Sequence, residues 1–102
     1  IGSMSEDWGF AAPPFKPDEA LQRLRRELRE LGLTERAGVF ERRGTPIARA
    51  ALDGATIAVA LVERPSRRSP QWRPRTLTSS AEQRAFVTHL KQQLGAWSED
   101  DD

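Results

Sequence analysis

The chain has 102 residues, the length of one small domain. Sixteen Lys and Arg against fifteen Asp and Glu give a formal net charge of +1, which conceals an uneven distribution. Residues 20–93 carry fifteen basic and seven acidic residues, a net of +8, while residues 1–19 sum to −3 and residues 94–102 to −4. The absence of cysteine excludes disulfides, thiol catalysis and Cys-ligated metal centres. His89 is the single histidine, so no His pair is available to share a metal.

Residues 1–16 set Trp8, Phe10 and Phe15 among Gly9, Ala11, Ala12 and Pro13-Pro14. Prolines break both helical and strand ladders, so this segment is predicted to be an extended arm whose aromatics lie over an exposed part of the body. Ile1-Gly2-Ser3 ahead of Met4 read as an expression remnant. Residues 17–31 read as a helix. Pro17 suits a first helical position, Asp18 and Glu19 favour its positive end, and Gly32 is placed as a stop. Leu21, Leu24, Leu28 and Leu31 form one apolar stripe facing the core. Arg23 with Glu27 and Arg26 with Glu30 are spaced for helix-surface pairing, whereas Arg25 and Arg29 have no acid four residues on.

Residues 38–63 read as a three-stranded antiparallel meander. The first strand runs to Arg42, Arg43-Gly44-Thr45-Pro46 turns, Ile47–Leu52 forms the second, and Asp53-Gly54 suits a type I′ hairpin turn. Ala55–Glu63 is apolar or small on both faces and is the expected best-covered strand. Residues 64–78, with Pro65, Pro70 and Pro74 and no acid, are predicted to be a long basic loop. A second helix follows over 79–94, with Ser79 and Glu82, or Ser80 and Gln83, in capping-box spacing. Ala85, Phe86, His89, Leu90 and Leu94 recur at helical spacing, which predicts partial burial of His89. Gly95 is read as the stop, with Trp97 folding back and residues 98–102 forming a solvated acidic tail.

The fold expected is therefore α+β, helix–three-stranded antiparallel sheet–helix, a two-layer single domain over 17–97 with flexible termini. This order resembles the topology of the double-stranded-RNA-binding domain over about residues 17–95. That family's lysine-rich start to the last helix is replaced here by Ser79-Ser80-Ala81-Glu82-Gln83, and its Gly-Pro-x-His loop is absent, so no binding residue carries over.

The chemistry points to the basic segment. Arg64, Arg67, Arg68, Arg73 and Arg75 present guanidinium groups whose geometry matches phosphate, and Trp72 offers a face on which a base can stack. Arg42 and Arg43 on the first hairpin, and Arg25 and Arg29 on the helix, are further candidates. The function expected is a non-enzymatic cytoplasmic module that binds nucleic acid or another polyanion, without metal, cofactor or membrane. The alternative is a protein-interaction or self-association domain, a homodimer included, that uses a sheet edge, an open sheet face or the aromatic arm.

Overall fold

The computed structural model describes residues 15–100. Residues 1–14 of the expected arm (1–16) and residues 101–102 of the expected acidic tail (98–102) lie outside the described residues, and residues 98–100 close the second helix rather than opening a solvated tail. Helix α1 covers Pro17–Glu30, with Pro17 at its start and Asp18 and Glu19 in the first turn. It ends as the sequence predicts. Gly32 takes φ +93, its N–H donates to the Arg29 carbonyl at 2.9 Å, and the Leu33 N–H donates to the Leu28 carbonyl at 3.3 Å. That pair of bonds is a Schellman motif, and it delivers Leu33 into the core beside Leu28.

Five strands follow rather than three: β1 (Thr34–Arg36), β2 (Val39–Arg42), β3 (Thr45–Asp53), β4 (Thr56–Val62) and β5 (Trp72–Leu77), in spatial order β1-β2-β3-β4-β5 with all neighbours antiparallel. β1 carries no apolar residue, and β5 contains Pro74 between two arginines. Neither shows the alternation that marks a half-buried strand. Both lie at the sheet edges, where one side of the backbone needs no partner and proline is tolerated. The extra strands also depart from the three-stranded double-stranded-RNA-binding topology.

Two-residue turns set the registers. Ala37-Gly38 joins Arg36 to Val39 with φ +53 and +82, and Arg43-Gly44 joins Arg42 to Thr45 with φ +56 and +81. Positive φ at both positions matches type I′ geometry. Thr45 and Pro46 therefore belong to β3, not to the turn. The Asp53-Gly54 expectation shifts by one residue, because Asp53 pairs with Thr56 and the turn is Gly54-Ala55. Among these turn residues only Gly54, at +62, has positive φ there, which fits a turn with glycine at the first central position.

Helix α2 spans Ser80–Asp100. Both helices pack on one sheet face, where Leu24 and Leu28 of α1 and Phe86 and Leu90 of α2 meet Phe40, Ile57, Val59, Leu61 and Leu77 in one core. Gln83 of α2 ties the layer together, its amide donating to the Ala20 carbonyl of α1 at 3.1 Å. Gly95 does not stop α2. An internal glycine costs about 1 kcal/mol, whereas continuing the helix past it buries Trp97, a large apolar side chain whose burial contributes ~1.5–3 kcal/mol or more. The stripe is thus Gln83, Phe86, Val87, Leu90, Leu94 and Trp97. His89 precedes Leu90 by one position, about 100° around the helix, and is exposed.

Ala37 occupies the left-handed region that L-residues with a Cβ enter at a cost of about 1 kcal/mol. Ala37→Asn, which restores the Asn-Gly preference of a type I′ turn, is expected to raise the unfolding free energy by roughly that amount in urea titrations. An unchanged or lower midpoint would contradict the turn assignment.

Candidate anion-binding surface

Strand β5 divides the basic segment. Opposite β4, Trp72, Pro74 and Thr76 pair with Val62, Ala60 and Ala58, while Arg73, Arg75 and Leu77 pair with Leu61, Val59 and Ile57. Alternation along a strand puts the second set on the helix-bearing face, and Leu77 is buried in the core there. Arg73 and Arg75 therefore stand at the sheet edge beside α2. The remaining loop covers residues 63–71, closed by the Glu63 N–H donating to the Gln71 carbonyl at 3.0 Å.

Most of the candidate arginines already have work within the fold. Arg67 reaches back to the β2–β3 turn, its Nη2 donating to the Arg43 carbonyl at 2.9 Å and its Nε to Thr45 Oγ1 at 3.3 Å. Arg73 Nε donates to Glu63 Oε2 at 3.1 Å. Arg42 donates from Nη1 to Ser98 Oγ at 2.9 Å and to the Leu94 carbonyl at 3.4 Å, clamping the end of α2 to β2. Trp72 is half-buried against the core, and the Arg49 guanidinium carbon lies 4.6 Å from its ring centroid. That cation–π contact occupies one of the two indole faces on which a base could stack.

Arg25 and Arg29 also differ from expectation. Lacking acids on their own helix, they converge on Glu35 of β1, at 3.0 Å and 3.2 Å. A partner from another element satisfies what the helical spacing left open. Sequence periodicity carries no signal for such a contact.

Arg43, Arg64 and Arg68 remain exposed. Arg43 flanks the turn that Arg67 grips, and Arg68 adjoins Arg67. Arg64 enters a cleft of about 310 Å³ lined also by Arg73, Glu63, His89 and Gln93, above Leu61 and Val62. His89 is the residue that sequence reasoning misplaced, and its exposed position turns it toward this cleft between α2 and the β5 edge. Among the described residues, no three His, Asp or Glu side chains are grouped to hold a metal ion, and no helix is long and apolar enough to cross a membrane.

Comparison with protein-family models, with curated proteins and with solved structures finds no match.

The start of α2 adds a titratable contact at the far end of β5. Ser79 Oγ accepts the Glu82 N–H at 3.2 Å, and Glu82 Oε1 accepts the Thr78 N–H at 2.6 Å and the Thr78 hydroxyl at 2.8 Å. The Thr78 backbone bond, then its hydroxyl, hold the Glu82 carboxyl below its ordinary value of 4.5; partial desolvation opposes them, and Arg75 adds a smaller favourable charge. A carboxyl depressed in the folded state stabilises above its unfolded value, and that contribution is lost as pH falls through the folded value. Urea unfolding at successive pH values should therefore show a component that disappears on acidification below about 4.5 and is missing from Glu82→Gln. Identical acid dependence in the two proteins would rule this cap out as its source.

Proposed function

We propose that the protein is a non-enzymatic module that binds the phosphodiester backbone of nucleic acid along the ridge formed by the β2–β3 turn and loop 63–71. The observation that carries this reading is the fastening of the loop by Arg67 onto the Arg43 carbonyl and Thr45. That contact gathers Arg43 and Arg68 at one place, with Arg64 further along the same loop, and none of the three has an acidic partner within ion-pair distance among the described residues. Bonds within the loop hold it further, the Ser69 N–H donating to Ser66 Oγ at 3.0 Å. A loop already ordered loses less conformational entropy when it meets a ligand.

Guanidinium–phosphate contacts position a nucleic acid without reading its bases, so binding is expected to discriminate weakly among sequences. Trp72 is capped by Arg49 and contributes to the sheet rather than to base stacking. Arg73, His89 and Gln93 extend the donor surface into the neighbouring cleft.

The test is anisotropy titration of labelled single-stranded and duplex DNA and RNA between about 50 and 200 mM salt. The triple variant Arg43→Asn, Arg64→Ala, Arg68→Ala keeps a residue that tolerates the left-handed turn. It should weaken binding by a similar factor for every sequence and flatten the log–log salt dependence by ~0.9 per lost duplex contact. Absence of binding at the lower salt, or an unaltered slope in the variant, would overturn the reading.

A second reading, protein interaction or self-association, is favoured by the helix-free face of the sheet, where Val39, Ala51, Ala58, Ala60 and Pro74 surround a shallow hollow. Edge-to-edge pairing is the weaker form of it, since β1 has three residues and β5 carries Pro74 between two arginines, both features that blunt an edge. Sedimentation at several protein concentrations separates the two readings. A dimer that ignores nucleic acid would favour the second.

A further inference from the structure

Alternation along β3 puts Arg49, Ala51 and Asp53 on the helix-free face of the sheet, since Ala48 and Ala50 are buried in the core on the helix-bearing side. All three are exposed. Their partners on β4 are Ala60, Ala58 and Thr56, and Pro74 and Thr76 of β5 continue the rows beyond Ala60 and Ala58. Between the two charges the surface is built of small side chains. Val39, Ala51, Ala58, Ala60 and Pro74, together with Arg49, line a shallow hollow of about 350 Å³.

The charges of this face balance. Arg36, opposite Val39, pairs with Glu41 at 3.8 Å. Arg49 and Asp53 are left, and neither has an oppositely charged partner within ion-pair distance among the described residues. They stand four residues apart on one strand, about 13 Å, with Ala51 midway. Residues 20–93 carry a net of +8, so two copies of the chain repel each other in general, and a face without net charge is where they meet at least cost.

The spacing is also self-complementary. A two-fold axis in the plane of contact, running across the strands through Ala51 and Ala58, reverses β3 of a second copy. Arg49 of one chain then lies opposite Asp53 of the other, and Asp53 opposite Arg49, the reciprocal pairing that a two-fold interface requires. Alanines at the axis leave room for the sheets to approach to the usual separation of about 10 Å. The Trp72 ring already holds the Arg49 guanidinium carbon 4.6 Å from its centroid, so less side-chain freedom is lost on contact.

We propose that the helix-free face packs against the same face of a second copy about an axis at Ala51 and Ala58, with Arg49 of each chain bridging to Asp53 of the other. The proposal rests on the self-association reading and gives it a specific surface; it does not depend on the polyanion reading.

The test is sedimentation of the full chain over a range of concentrations, for the parent protein and for charge-reversed variants. The parent should dimerise. Arg49→Glu and Asp53→Arg each set like charges together at two symmetry-related points and should raise the dimer dissociation constant by roughly a hundredfold. The double variant Arg49→Glu, Asp53→Arg restores opposite charges at both points and should recover the dimer. Because Arg49 also contacts Trp72, its replacement can disturb the fold; Asp53→Arg, at the exposed end of β3, gives the same readout without touching that contact. A parent that stays monomeric at every concentration would overturn self-association and this proposal together. A dimer indifferent to Asp53→Arg, or one that the double variant fails to recover, would overturn this pairing alone and assign self-association to another surface.

Discussion

Strand β4 must be paired along both edges, and the rest of the domain is arranged around that requirement. Its residues from Val59 to Val62 are all buried, and a buried N–H or carbonyl left unpaired costs about 1–3 kcal/mol. β3 satisfies one edge through the tight Gly54-Ala55 turn. The chain that follows satisfies the other, which draws Trp72–Leu77 into the sheet in spite of its proline and arginines. Three consequences come from that single pairing. Leu77 is carried into the core, Ser79 is placed to cap α2, and the segment between the strands is shortened to a loop that folds onto the β2–β3 turn.

The arginines follow from the same geometry. Exposed ion pairs stabilise by ~0–1 kcal/mol each, so Arg25 and Arg29 on Glu35, or Arg73 on Glu63, contribute little to the total stability. Their effect is positional. Glu35 holds β1 beside α1, Arg67 holds the loop on the hairpin, and Arg42 holds the end of α2 on β2. An excess of basic residues that looked like a single binding surface is in large part a set of fasteners between elements distant in sequence. What remains for a ligand is a narrower group, concentrated where the loop meets the hairpin.

Elements whose structure is decided locally were legible in the sequence. Pro17, the leucine stripe and Gly32 define α1 without reference to anything else, and the Ser79–Glu82 spacing identifies the start of α2. The two edge strands were not legible. β1 and β5 exist because a neighbouring strand needs hydrogen-bond partners, and their own side chains do not express that need. Gly95 and His89 fail for a related reason. The burial of Trp97 outweighs the local penalty of glycine, and the stripe through Phe86, Leu90, Leu94 and Trp97 turns His89 outward although it adjoins a core residue. Of the candidate surface, the sequence shows which arginines are present but not their partners, because Glu35, Thr45, Ser98 and Trp72 approach from other elements.

The same contacts set the limits of the proposed interface. The Arg73–Glu63 pair is well exposed, with the two side chains 73% and 49% accessible, so a phosphate can replace the carboxylate at a cost of at most about 1 kcal/mol. Arg73 can therefore join Arg43, Arg64 and Arg68 as a ligand approaches. Arg42 cannot be recruited so cheaply, because its bonds to Ser98 and the Leu94 carbonyl secure the part of α2 that buries Trp97. Releasing them puts the last turns of the helix at risk, where Gly95 already weakens the backbone. The proposed binding surface thus ends at the β5 edge, and Arg42, although adjacent to Arg43 in sequence, is tied into the scaffold through Ser98 and the Leu94 carbonyl.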